Sequence, residues 1–297
     1  MTNLTLRHLR YFEALAHEGH FGRAAERCAI SQPALSVQIR DLEENLGFAL
    51  FERGPRQVRL TALGEAFAKR AHHVLRAVAD MGDWAQAARA GGGIERLRLG
   101  IIPTIAPYLL PRLIRDLTRA YPEIDLHVRE TVTPRLIGEL QDGQLDAALV
   151  ALPIDEADLS ELALFSEEMV LVRPERDAGA PPVRPDALED MRLLLLEEGH
   201  CFRDQALSFC NISPTRPRDG LDGSSLSTLV QMVGAGIGVT LIPDMAVRVE
   251  TRSAPVCVTR FEMPPPTRTV GLVWRKTNPM ADALARIGDI IRSAATT

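Results

Sequence analysis

The apolar pattern of this chain changes character at Gly91-Gly92-Gly93, and that change constrains what it can fold into. Before the glycines, apolar residues recur every three or four positions, the spacing of one helix face. After them, short apolar runs alternate with helical stretches, the pattern of α/β sheets. The glycines themselves are the best linker in the chain. At 297 residues there is room for two domains, or for one small domain and one bilobal one.

In the first region Leu9, Phe12, Leu15 and Ala16 share a helix face that Gly19 ends. Phe21 to Cys28 makes a short second helix of small residues, and Ala29-Ile30 a tight connection. Ser31 suits an N-cap and Pro33 the first turn of a third helix. That helix buries Leu35, Ile39, Leu42 and Leu46 and stops at Gly47. Its other face presents Gln32, Ser36, Gln38 and Arg40. Two helices joined by a tight turn, the second with a polar outer face, describe a helix-turn-helix or, equally, a small bundle with a solvated face. Phe51 to Leu60 reads as a hairpin wing bearing Arg53, Arg56 and Arg59, placed to meet phosphates. Thr61 would then cap a long helix to about Ala90. Phe67, Ala71, Val74, Val78, Met81 and Ala85 form a heptad seam along it, short enough to pack on its own domain or on a partner.

Net charge is −5, but it is unevenly spread. Residues 1–90 balance at +2 and the remainder at −7, which leaves DNA binding open. The N-terminus lacks a basic segment followed by an apolar one, and the apolar stretch around Leu229 to Pro243 is broken by glycines and too short for a membrane span. The expected compartment is the cytoplasm, with no membrane partner, where cysteines are normally reduced. The Gly234–Gly238 run closes a helix and is not a dinucleotide motif; no P-loop, HExxH or nucleophile elbow is present. No cofactor and no metal are expected.

Beyond Arg96 the strand and helix runs predict parallel α/β sheets. Within this region Cys201 and Cys210 stand nine positions apart in a helical segment with Phe202, Leu207 and Phe209 as apolar anchors. Nine helical steps separate Cα atoms by roughly 13 Å; a disulfide needs them within about 7 Å. If these two ever bond, the segment must unwind. His200 and Arg203 beside Cys201 suit a reactive thiolate. Two cysteines are also simply small buried hydrophobes, the reading that fits Cys28 and Cys257.

The motifs Phe21-Gly22-Arg23-Ala24-Ala25-Glu26, Ile30-Ser31-Gln32-Pro33-Ala34-Leu35-Ser36, Leu42-Glu43, Leu50-Phe51-Glu52-Arg53 and Leu60-Thr61 stand in order over about sixty residues, and together they closely resemble the LysR-type transcriptional regulators. The resemblance implies an α+β multidomain fold. A winged helix-turn-helix spans 1–60, a linker and dimerisation helix 61–90, a hinge 91–95 and a periplasmic-binding-protein-like effector domain 96–297. The effector domain would comprise two α/β subdomains, I over 96–165 and 266–297 and II over 166–265. Ser31, Gln32, Pro33, Ser36, Gln38, Arg40, Arg53, Arg56 and Arg59 would then meet DNA.

Within that family, Leu195 to Ala206 with Phe209-Cys210, Ile102-Pro103-Thr104 and Arg268 to Val273 are similar to the peroxide-sensing members. What that resemblance implies is specific. Cys201 would be the peroxidatic thiol and Cys210 the resolving one, with Thr104, His200 and Arg268 lining a peroxide pocket. Partners would be double-stranded promoter DNA, hydrogen peroxide, copies of the chain in a homotetramer built as a dimer of dimers, and RNA polymerase. Two alternatives stand beside it. A regulator sensing an organic effector would line its cleft with Thr104, Thr133 and Ser225; a thiol peroxidase would turn over peroxide and have no use for a helix-turn-helix.

Overall fold

The computed structural model describes residues 4–54, 58–89, 94–209 and 222–296. They divide into two compact units, Met1–Gln86 and Ala87–Thr297.

The first unit orders α1 (Leu6–Glu18), α2 (Phe21–Arg27), α3 (Gln32–Leu46), β1 (Phe51–Arg53), β2 (Val58–Leu60) and α4 (Ala62–Arg89). Gly19 and Gly47 end α1 and α3 in the left-handed region, at φ 59° and 78°. Ser31 caps α3, its Oγ accepting from the Ala34 N–H at 3.3 Å. Glu43 on α3 accepts from the amides of Leu50 and Phe51 at 2.8 and 3.1 Å, which ties the helix to the start of the wing. Thr61 does two jobs with one hydroxyl: it accepts from Gly64 N and donates to the Ala49 carbonyl, both at 2.9 Å. Gly64 is needed there because a Cβ would sit 2.1 Å from the Leu50 carbonyl oxygen. The core is Leu9, Phe12, Leu15, Leu35, Ile39 and Leu42, with Phe12 against Phe51 and edge-on to Phe67.

The seam on α4 divides. Ala71 is buried in this core and Phe67 and Leu75 pack on it, whereas Val74 and Met81 are 45% and 70% exposed. The first turns therefore serve their own domain, and only the later ones present a free apolar edge.

The second unit runs β3 (Arg96–Ile101), α5 (Ala106–Ala120), β4 (Asp125–Glu130), α6 (Thr133–Gln141), β5 (Ala147–Leu152), β6 (Leu159–Pro174), β7 (Leu193–Leu196), α7 (Cys201–Phe209), β8 (Asp222–Gly223), α8 (Leu226–Gly234), β9 (Val239–Pro243), α9 (Asp244–Glu250), β10 (Val256–Thr259), β11 (Thr267–Arg275) and α10 (Ala281–Thr296). Its nine strands form one continuous sheet in the order β4-β3-β5-β11-β6-β9-β7-β8, with β10 also on β6. The expectation of parallel sheets needs correction here. β3–β4, β3–β5, β7–β8 and β7–β9 are parallel, but β11 is antiparallel to β5 and β6, and β6 to β9 and β10. The reason is that β6 carries the chain from one half of the sheet to the other and β11 brings it back alongside. One core gathers under β3, β5, β11, α5 and α10; the other under β6, β7, β9 and α8.

A partly buried polar contact helps to join the halves. Tyr108 on α5 donates to Glu250 Oε1 at 2.7 Å, and Ser227 on α8 donates to Oε2 at 2.6 Å. Glu250 is buried, and burial together with its carboxylate pushes the Tyr108 phenol up. Tyr108→Phe leaves that carboxylate with one partner and should cost about 1.5–3 kcal/mol. Denaturant unfolding of the variant against the parent measures it; an unchanged midpoint would show that the contact contributes nothing.

Among the described residues no helix is long and apolar enough to cross a membrane, and no group of His, Cys, Asp and Glu is arranged to hold a metal ion.

Candidate functional site

The polar face of α3 has the character expected for a groove reader. Gln32, Pro33 and Arg40 are exposed, while Ser36 and Gln38 are partly so. Ser31 is exposed too, although its hydroxyl is committed to the cap. Val37, half exposed on the same face, was missed by sequence reasoning. Its signal was there: it falls off the Leu35–Ile39–Leu42 stripe, and an apolar group among polar ones suits a thymine methyl. On the wing Arg59 is exposed and lies opposite Glu52, and Arg53 pairs in register with Val58. Arg56 lies outside the described residues.

The second site is built at carboxyl ends of parallel strands, the edge where open α/β sheets bind ligands. Thr104 follows β3, Thr133 follows β4, Cys201 follows β7 and Ser225 follows β8. Arg268 reaches the same edge differently: it opens β11, whose antiparallel pairing sets Thr269 beside Leu152 at the end of β5.

Thr104 and Arg268 come together. Both are buried, at 2% and 3% exposure, so neither is the surface group that a strand-flanking position suggests. Arg268 Nη1 donates to Thr104 Oγ1 at 2.8 Å and Nη2 to the Thr104 carbonyl at 3.0 Å. Glu167 on β6 takes Nε at 2.7 Å and lies 2.6 Å from Nη2. Arg268 and Glu167 are direct cross-strand partners, so the sheet register sets the pair. The guanidinium carbon sits 5.7 Å from the centroid of the Phe202 ring.

That ring belongs to the first turn of α7. Cys201 begins the helix, partly buried, and packs on the first core, whereas Phe202 is buried in the second. Gly199, at φ 93°, turns the chain into α7, and a Cβ there would touch Val132 at 3.8 Å. His200 is partly buried, and burial lowers its pKa against the opposing pull of Glu197, which favours the neutral imidazole. Arg203 is engaged elsewhere among the described residues: Nη1 donates to the Leu196 carbonyl at 2.8 Å and to Asp222 at 2.9 Å, clamping α7 to β7 and β8. The cation expected beside Cys201 from sequence adjacency thus points elsewhere, because residues two apart on a helix do not share a face.

Two further oxygens belong to the helices that start there, α6 and α7. Thr133 Oγ1 and Gln205 Oε1 are buried without a hydrogen-bond partner among the described residues. Gln205 stands four positions after Cys201, on the same face of α7. Ser225 is occupied as the cap of α8, accepting from Thr228 N at 3.2 Å. Cys210 lies outside the described residues. Cys28 ends α2 and Cys257 sits in β10 against the Pro174 carbonyl; burial pushes both thiols up, toward the unreactive protonated form.

Comparison with known proteins follows the same division. Residues 6–65 match the bacterial regulatory helix-turn-helix of the lysR family, and residues 90–296 match the LysR substrate binding domain. A hydrogen peroxide-inducible genes activator of Dickeya chrysanthemi is 39% identical, over 97% of this chain and 95% of that protein. The Escherichia coli K12 DNA-binding transcriptional dual regulator OxyR is 38% identical, over 98% and 95%. Among solved structures, a full-length OxyR from Pseudomonas aeruginosa with cysteine replaced by aspartate superposes with a TM-score of 0.75 at 39% identity, over 98% of this chain and 96% of that one. A hydrogen-peroxide-bound OxyR from Corynebacterium glutamicum with cysteine replaced by serine gives 0.67 at 35% identity, over 98% and 92%. The chain belongs to the LysR family of bacterial transcriptional regulators, alongside its hydrogen peroxide-inducible genes activators.

Proposed function

We propose that this protein is a stoichiometric peroxide sensor that binds promoter DNA through α3 and the wing and reads hydrogen peroxide at Cys201. The observation that carries the reading is the buried Thr104–Arg268 pair, set at the strand edge where α7 begins with Cys201. Because Thr104 Oγ1 accepts from Arg268, its own proton is left to donate to a peroxide oxygen. Thr133 Oγ1 and Gln205 Oε1 offer further hydrogen bonds to a small polar molecule, and a neutral His200 adds one donor and one acceptor.

In the reaction, the Cys201 thiolate attacks one peroxide oxygen. An S–O bond forms, the O–O bond breaks, and the departing hydroxide takes a proton to leave as water. The Cys210 thiolate then attacks the sulfenic sulfur, expels a second water after protonation, and closes the disulfide. Two thiols are oxidised and one peroxide is reduced to two waters.

The bridge is incompatible with α7. From Cys201 to Phe209 the helix advances about 12 Å at 1.5 Å per residue, so bringing Cys210 within bonding range unwinds it. Unwinding withdraws Phe202 from the second core and from Arg268. Two packings of the effector domain follow, one per redox state, and each favours its own spacing of the DNA-binding heads. A homotetramer joined partly through the free edge of α4, contact with RNA polymerase and residence in the cytoplasm belong to the same reading, and a sensor of this kind does not turn peroxide over.

Footprinting of a promoter duplex with reduced and peroxide-treated protein tests it: the protected segments should differ. Identical footprints would overturn the switch. In the same assay Arg40→Ala should weaken binding, by roughly 1–3 kcal/mol if Arg40 reads a guanine edge. Equal affinity would remove Arg40 from the interface.

A further inference from the structure

Arg268 has five N–H donors, and four of them are occupied. The end-on pair sits on Thr104, Nη1 to Oγ1 and Nη2 to the carbonyl oxygen. The side-on pair, Nε and the other Nη2 hydrogen, faces one oxygen of Glu167 at 2.7 and 2.6 Å. Among the described residues one Nη1 hydrogen is left. The arginine side chain is fully buried and that of Glu167 nearly so, so the ion pair is desolvated and its two charges offset one another. The second oxygen of Glu167 faces the backbone N–H of Met245 at 3.4 Å, at the start of α9.

We infer that Glu167 is a positioning residue for the peroxide reaction: it fixes the Arg268 guanidinium so that Thr104 is oriented as a donor and a single Nη1 hydrogen remains for the peroxide. This deepens the peroxide-sensing reading and rests on it. Glu167 touches neither the peroxide nor the sulfur in this account; it acts through Arg268. Its place opposite Arg268 in the β6–β11 ladder makes the pairing a property of the sheet that joins the two halves of the domain.

The test uses full-length reduced protein and two rates measured on each preparation: Cys201–Cys210 bridge formation with hydrogen peroxide, and alkylation of Cys201 by iodoacetamide. Alkylation needs no peroxide-holding donor, so the ratio of the two rates isolates positioning from general changes at the thiol. Glu167→Gln keeps an oxygen for Nε and should hold the ratio within about threefold, whereas Glu167→Leu should lower it at least about tenfold, since a misplaced group costs up to roughly 100-fold. Glu167→Leu combined with Arg268→Leu should fall no lower than Arg268→Leu alone, because Glu167 acts only through that guanidinium. A Glu167→Leu ratio near the parent's, a Glu167→Gln ratio as low as that of Glu167→Leu, or a double-variant ratio below that of Arg268→Leu would each overturn the inference. Should Glu167→Leu fail to fold, Glu167→Asp, which keeps the charge but draws the carboxylate back by one methylene, carries the comparison: a loss of about tenfold supports the inference and a parental ratio overturns it. Failure of the underlying reading looks different, because the parent itself would then form no bridge with peroxide.

Discussion

Cys201→Ser is expected to leave promoter binding in place and to abolish the response to peroxide. A serine hydroxyl at this position keeps the size and the helix start but is not the nucleophile that cleaves an O–O bond at neutral pH. The side chain is partly buried at the start of α7 and has no hydrogen-bond partner among the described residues that folding would miss. The residues proposed to meet DNA lie in the other compact unit, on α3 and the wing, and their helix and caps do not involve it. The loss should therefore be complete in the peroxide-dependent change of footprint and absent from the affinity of the reduced protein. A Cys201→Ser protein that still changes its footprint with peroxide would remove this thiol from the mechanism. Neither Cys28 nor Cys257 is expected to substitute, since burial holds both toward the protonated form.

Arg268→Leu should be the most damaging single change to the effector domain. It removes a guanidinium whose side chain is fully buried and leaves the Glu167 carboxylate in the same place with its cation gone. Breaking a buried pair in this way costs about 3–5 kcal/mol. For a domain of this size the unfolding midpoint should fall by roughly 6–20 °C. The Glu167→Leu and Arg268→Leu double variant should regain most of that, because two apolar side chains leave no uncompensated charge. Thermal unfolding of the three proteins measures it. A single variant as stable as the parent, or a double variant no better than the single, would contradict the buried-pair account. Bridge formation with peroxide should be slowed at least about tenfold in both.

The elements of the first unit were largely written in its local chemistry. Gly19, Gly47, Ser31 and Thr61 stop and start helices where their backbone freedom or hydroxyls allow, and the apolar stripes of α1 and α3 name their own buried faces. The second unit was legible as alternating strands and helices but not in its strand directions. β6 reads poorly because Glu167 and Glu168 interrupt its apolar run; the first is tolerated because Arg268 pairs with it from elsewhere in the chain, and the second because it stays partly exposed beside Arg260. The same long-range pairing hid Glu167 from sequence reasoning, where it was only a charge before Met169. Arg203 failed in the opposite sense: adjacency to Cys201 suggested a partner, and the helix turned it toward Leu196 and Asp222. Thr104 and Arg268, 164 positions apart, could be joined from sequence only by resemblance to a family, and Gln205 stood inside the quoted motif without a role.

The most direct measurement is peptide mass spectrometry of the reduced protein after a brief micromolar pulse of hydrogen peroxide and rapid thiol blocking. A bridge between Cys201 and Cys210 formed within seconds is the result this account predicts. Two freely alkylated thiols at those positions would contradict it and turn attention to an organic ligand at the edge lined by Thr133.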